Sequence, residues 1–402
     1  MITKVSLLGI TLLSRLAVNI GLFMVLARIL SPDVLGKFAY WYSVANLSVL
    51  FVDYGFSQSL LRDIGANPKA GQRTLSTALT IKTAAAAIAL IVMAFASIFF
   101  KFGFFPVLLL IAAITNSFGE SAGATLRANG YYSQESIISV CLSGVLLSSI
   151  YLLGKMGRFN LLPLAWLIFG FRITMSGTTF LVLKIKLPNY WPYIANISDC
   201  KAAIKNGIGY ATDVGLTTLS SNLDIVLVKF HLGDAAVSFY QAGQKIVQAA
   251  SLGAQTLSGV YLPVLANPDS ISKHKARLRA LLIGAGILFG VAVTMFRDFI
   301  VTFLYGTNFS PLAESLPFFS ILIFMKFVAA YSGLILTALG RQSRRAMVNA
   351  ASIIVLIFVF FALPRSLDYS AMIYAQIISV LVVFISYSAI IRAENRHVNK
   401  ST

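Results

Sequence analysis

Apolar stretches recur along the whole chain, separated by short polar junctions. Twelve can be drawn, at about 5–30, 34–61, 74–100, 104–128, 133–154, 159–184, 201–231, 235–264, 276–304, 309–339, 343–363 and 368–391. Each is long enough for the ~20 residues that a helix needs to cross a hydrocarbon layer, and several exceed it, which predicts tilt. A membrane barrel would instead show short alternating strands, so the spans are expected to be helices. The first lacks a small-residue cleavage site and is interrupted by Arg15, so it is expected to remain as a span rather than to act as a signal peptide.

Several spans carry polar residues at helical spacing. In span 7, Asn206, Tyr210, Asp213, Thr217, Ser220 or Ser221, and Asp224 fall on one face. Span 8 carries Gln241, Gln244, Lys245, Gln248, Gln255 and Ser258. Span 1 has Thr11, Arg15 and Asn19, and span 4 has Asn116, Glu120, Gly123 and Arg127. A charged residue facing lipid costs ~2.5–3.5 kcal/mol at the bilayer centre, so these faces must meet other helices or water. Two readings stay open for them: pairwise glue between helices, or the lining of a hydrated central cavity.

Composition supports a membrane protein. Of the 402 residues, 58% are hydrophobic and 11% charged, with a mean hydropathy of +0.82. The net charge of +18 would suggest nucleic acid in a soluble chain, but here it follows the membrane, and no nucleic-acid partner is expected. With the N-terminus inside, nineteen Lys and Arg fall in cytoplasmic segments, eight in outer segments and five within spans. That bias expects a multi-pass protein of a bacterial inner membrane with both termini cytoplasmic. The five within spans are Arg15, Lys82, Arg172, Lys245 and Lys326, set against Asp213 and Glu120. A net-positive cavity is therefore expected, suited to phosphate, pyrophosphate or carboxylate. Asp53 near the end of span 2 has Arg62 as a local partner in prospect. Cys141 and Cys200 show no metal or redox spacing and are expected to be core thiols.

The chain also halves. ARILSPDVLGKFAYW at 27–41 has a counterpart in KFHLGDAAVSFYQAG at 229–243, and LRANGYYS at 126–133 has one in LTALGRQS at 336–343. Six spans separate the copies, so they share one orientation. The expected architecture is all-α: twelve transmembrane helices in two pseudo-symmetric six-helix bundles around a central cavity. The bundles are expected at 1–184 and 201–402, joined by a basic, aromatic connector at 185–200.

Several segments resemble a known family. LARILSPDVLGKFAYW at 26–41 has its Leu-Ser-Pro, acidic, Gly, aromatic order; FVDYGFSQSLLRDI at 51–64 has its Asp-x-Gly-hydrophobic segment; 221–246 and 336–345 also match. These are features of Wzx-type polysaccharide-unit flippases, within the multidrug/oligosaccharidyl-lipid/polysaccharide exporter superfamily. Where the family often has a basic residue after the span 7 aspartate, Asp224 is followed here by Ile225, and Lys229 stands one turn later. The resemblance implies transfer of an undecaprenyl-pyrophosphate-linked sugar repeat from the cytoplasmic to the periplasmic leaflet, in O-antigen-like polysaccharide biosynthesis. It implies membrane lipids, a polysaccharide polymerase and chain-length machinery as partners. It also places Arg15 where a related flippase of a peptidoglycan precursor carries a cavity arginine.

The expected substrate ligands are thus Arg15, Lys82, Lys245, Arg172, Lys326, Asn19 and Gln248. Asp213, Asp53 and Glu120 are the carboxylates for coupling to Na+ or H+, and no other cofactor is expected. Competing classes are a cation-coupled drug or toxin exporter of the same superfamily, a membrane-embedded glycosyltransferase or polymerase, and a structural partner in an envelope complex. Short outer loops argue against the enzyme, and no Walker-type nucleotide loop is present.

Overall fold

A computed structural model describes residues 18–155, 160–265, 268–339 and 341–401. Every regular element among them is helical. The helices are α1 Val18–Ile29, then α2 Pro32–Asp53, α3 Phe56–Ala66, α4 Gly71–Phe100, α5 Phe105–Ala128, α6 Tyr132–Lys155 and α7 Leu161–Lys186. The second half adds α8 Ile197–Leu232, α9 Asp234–Leu265, α10 Pro268–Met295, α11 Arg297–Tyr305, α12 Leu312–Ala338, α13 Gln342–Ala362 and α14 Ser370–Ser401. Because α3 continues α2 and α11 continues α10, the described helices correspond to the twelve spans expected from the hydropathy pattern, the first of them from Val18 onward.

The helices are inside-out relative to a soluble fold. On α4, Phe95, Ile98 and Phe99 are 60%, 74% and 78% exposed, whereas Lys82 on the same helix is fully buried. Such an arrangement is stable only where the surroundings are hydrocarbon. Cys141 also faces outward rather than into a core, and Cys200 lies in the first turn of α8 rather than in a loop. Lipid is as hospitable to a thiol as an apolar interior is, which accounts for the outward position of Cys141.

Eight described helices are long and apolar enough to cross a membrane: α4 to α7, α10, α12, α13 and α14. The remaining spans are 1, 2, 7 and 8, which occupy equivalent places in the two halves. Of these, α2, α8 and α9 have the length, at 22, 36 and 32 residues, but carry the polar faces. The internal repeat is visible in packing as well. In the first half α5 packs on α7, α4 and α3, and α6 on α7; in the second α12 packs on α14, α10 and α9, and α13 on α14.

The chain forms two compact units, Met1–Leu30 with Lys37–Val226 and Ser31–Gly36 with Leu227–Thr402. In the first, the connector lies along α4, and side chains there complete its backbone. The amide of Tyr193 donates to Ser76 Oγ (3.1 Å) and that of Ala195 to Thr80 Oγ1 (3.0 Å), while Gln72 Nε2 donates to the Trp191 carbonyl (2.9 Å). Arg73 makes a two-pronged ion pair with Asp199, which precedes span 7. In the second unit, Arg341 and Arg344 both hold Glu394 (2.9 and 2.7 Å). There too Gln244 Nε2 donates to Gln376 Oε1 (2.6 Å) and to the Tyr240 hydroxyl (3.0 Å), so this part of the span 8 stripe is glue between helices.

Two local predictions follow from this packing. Span 2 breaks at Tyr54 and Gly55, both left-handed at φ 48° and 75°. A Cβ on Gly55 would come within 3 Å of the Tyr210 backbone of α8. Gly55→Ala therefore adds both strain and a clash, and is expected to destabilise by roughly 1–3 kcal/mol, read as a lower thermal midpoint in detergent. The hydrogen bond and charge of Arg73 hold the Asp199 carboxyl below the usual carboxylate range. Its contribution is present above ~pH 3.9 and lost as pH falls through the lower folded-state value. In Asp199→Asn, that acid-dependent loosening of the connector should vanish in hydrogen exchange of residues 191–196.

Candidate functional site

The break in span 2 places a carboxylate at the end of one helix and the N-terminus of another beside it. Asp53 ends α2, and Ser57 in the first turn of α3 donates to Asp53 Oδ1 (2.7 Å). Lys82 reaches the same oxygen from α4 (2.5 Å). The serines spaced one turn apart on α5 complete the shell. Lys82 Nζ donates to Ser121 Oγ (2.5 Å), to the Ser117 carbonyl (2.9 Å) and to Ser117 Oγ (3.1 Å), and Ser117 Oγ in turn donates to Asp53 (3.1 Å). An ammonium has three donors, so this one is saturated. With none of its side chain exposed, Lys82 has no open face for an incoming anion, in contrast to the ligand role expected for it. Arg62, the partner expected for Asp53, instead pairs with Asp63 (2.6 Å) and lies over the Tyr210 ring.

Three of the cavities lined by described residues lie in the first unit. The largest, about 390 Å³, is walled by α2, α3, α5 and α8, and includes Asn46, Asp53, Asn116, Glu120, Thr217 and Asn222. A second, about 180 Å³, has Asn19, Tyr42, Asn116, Glu120 and Arg172 on its wall. Arg172 donates to Asn116 Oδ1 (2.6 Å) and to the Tyr42 hydroxyl (3.4 Å). The α5 face bearing Asn116 and Glu120 thus serves both. A third, about 280 Å³, lies between α3, α4 and α8, with Arg62, Asp63, Arg73, Asp199, Asn206 and Tyr210 on its wall.

The residues expected from sequence therefore separate. Arg172, Asn19 and Glu120 come together in one cavity; Asp53 and Glu120 come together in another. Lys245, Gln248 and Lys326 lie in the second unit, where Lys245 is buried and donates to Gln248 (3.3 Å) and Lys326 is half-buried on α12. Lys229 pairs with Asp234 (2.6 Å). Arg15 is outside the described residues, as is the side chain of Asp213 on α8. The cationic excess expected of the cavity is not found in these three: described acidic residues match or outnumber the basic ones in each lining. Tyr42, Asn46 and Ser57 were not among the expected site residues, although with Asp53 they fall at helical spacing on span 2.

A family model described as "Polysaccharide biosynthesis protein" matches residues 25–314. The chain belongs to this polysaccharide biosynthesis protein family. The family member is similar in fold to solved transporters. An inward-facing multidrug resistance MATE family transporter of the MOP superfamily superposes with a TM-score of 0.78 at 13% identity, covering 98% of this chain and 99% of that one. Lipid II flippase MurJ, in an inward closed conformation, gives 0.71 at 14% identity over 96% and 87%. A variant of the Vibrio cholerae MATE transporter VcmN gives 0.64 at 14% over 98% and 98%. No curated protein sequence matches. The polysaccharide biosynthesis protein thus has the multi-pass transporter fold of that superfamily.

Removing one member of the Asp53–Lys82 pair should be far worse than removing both. Lys82→Met leaves the partly buried Asp53 carboxylate uncompensated and is expected to cost up to about 3 kcal/mol, whereas Lys82→Met with Asp53→Asn should restore most of that. Thermal unfolding of the purified single and double variants in detergent checks the difference.

Proposed function

We propose that the protein is a flippase for an undecaprenyl-pyrophosphate-linked oligosaccharide, carrying the repeat unit from the cytoplasmic to the periplasmic leaflet by alternating access. The membership of residues 25–314 in a polysaccharide biosynthesis family carries this reading, and a fold shared with a lipid II flippase supports it. The protein sits in a bacterial inner membrane with both termini cytoplasmic, in line with nineteen inner against eight outer Lys and Arg. Arg172 and Lys245, with Arg15 and Lys326, are the cations proposed to meet the pyrophosphate, and the polyprenyl tail stays in lipid. A polymerase and chain-length machinery take the product onward.

Electrostatics favour export without a coupling ion. One charge crossing the membrane is worth ~2.3 kcal/mol per 100 mV. Two negative charges leaving a negative interior gain ~5 kcal/mol, more than a thousandfold bias. The competing reading, a cation-coupled drug exporter, shares the fold. Of the three carboxylates that could couple a cation, Asp53 is held by Lys82 at 2.5 Å, which leaves that role to Asp213 or Glu120.

Deletion of the gene in its host should abolish surface polymer and leave the lipid-linked repeat in the cytoplasmic leaflet; the intact gene should restore export. Normal polymer in the deletion strain, with altered drug susceptibility, would instead establish the exporter.

A further inference from the structure

The cavity between α2, α3, α5 and α8 is built unlike an anion site. At about 390 Å³ it falls within the roughly 300–1,000 Å³ of small-molecule sites. Its wall carries four carboxamides, Asn46, Gln58, Asn116 and Asn222, together with serine and threonine hydroxyls and Glu120. No lysine or arginine is among its described lining residues. Asp53 also lines it, but its charge is met from behind by Lys82. Among the described lining residues, a pyrophosphate entering here would meet two carboxylates and no lysine or arginine, and would leave its own water behind, which is strongly unfavourable.

A pyranose is matched instead. Each sugar hydroxyl donates and accepts, as carboxamides and side-chain hydroxyls do together. Glu120 offers a charge-assisted acceptor for a hydroxyl proton. Val49, Leu50 and Val214 supply apolar wall for the C–H face of a ring. Asn222 donates to the Thr218 carbonyl (2.9 Å), and Arg172 holds Asn116 (2.6 Å), so two of the amides are fixed in place before a ligand arrives. Pre-set hydrogen-bonding groups discriminate strongly, because a ligand lacking the matching hydroxyl leaves them unpaired.

We infer that this cavity is the sugar-reading subsite: it binds an uncharged pyranose of the lipid-linked repeat through neutral hydrogen bonds, while the pyrophosphate is held elsewhere. Asn46 on α2 and Asn222 on α8 are its specificity-determining residues. The inference rests on the flippase reading and assigns to the first unit a task separate from that of the cations.

The test uses the purified full chain in nanodiscs and three probes: undecaprenyl pyrophosphate, undecaprenyl-pyrophosphoryl-N-acetylglucosamine and undecaprenyl-pyrophosphoryl-galactose. Binding is read by native mass spectrometry. The wild type should bind at least one glycosylated lipid about tenfold more tightly than the bare lipid, the scale of a few well-placed hydrogen bonds. Asn46→Ala and Asn222→Ala should erase that preference and leave bare-lipid affinity unchanged. Asn46→Ser and Asn222→Ser carry the same test, with a partial loss, if the alanine variants do not fold. Equal wild-type affinity for all three lipids, a preference that survives the substitutions, or variants that weaken all three alike would each overturn the subsite. A wild type that binds none of the three would overturn the flippase reading itself.

Discussion

A lysine ammonium enclosed by protein inside a membrane is tolerable only with a carboxylate against it. The Lys82–Asp53 contact at 2.5 Å meets that condition, and much of the first unit is arranged around it. The pair ties α4 to the break between α2 and α3. Ser117 and Ser121 bring α5 to the same point. The break itself frees the first turn of α3 to present Ser57 to Asp53, and the positive end of that helix favours the carboxylate further. On the far side, α8 settles onto Gly55 so closely that no side chain fits between them. Desolvating two charges is costly, and such a pair adds little net stability compared with an apolar core. Its effect lies in geometry: four helices, α2 to α5, share one set of hydrogen bonds.

Because those charges cancel, the space beside them is lined mainly by amides and hydroxyls, with Glu120 as its other carboxylate. The arrangement divides the recognition of a lipid-linked sugar phosphate into two problems. In the proposed flippase, cations would answer the phosphate and the amides of the α2–α5–α8 cavity would answer the sugar. Asn116 and Glu120 line both this cavity and the neighbouring one that holds Arg172, so α5 provides a physical link between two chemically different linings.

The architecture was almost fully legible in the sequence. Hydropathy sets span length, and the stretches from 34 onward all reappear as helices, most within a few residues of the expected bounds, because a bilayer leaves a chain few other choices. The half-chain repeat was legible for the same reason and returns in matching helix contacts. The site was legible in part. Helical spacing found the polar faces of spans 4 and 7, and both line cavities. What spacing cannot show is which partner stands opposite. Lys82 read as an available cation, yet its partner lies 29 positions earlier, across a helix break. Asn46 escaped notice because one amide among apolar neighbours gives a weak signal until span 2 is folded against spans 4 and 7.

The walls of the first unit are held by two kinds of bond, and they set different limits on change. Asn222 and Ser221 are tied to carbonyls of their own helix, one turn back. Either can be exchanged without asking anything of another helix. Lys82, Asp53, Ser117 and Gly55 answer to each other across helices and must change together or stay. Over evolution the cavity face of α8 could therefore be redrawn one residue at a time, while the knot at the end of span 2 remains fixed.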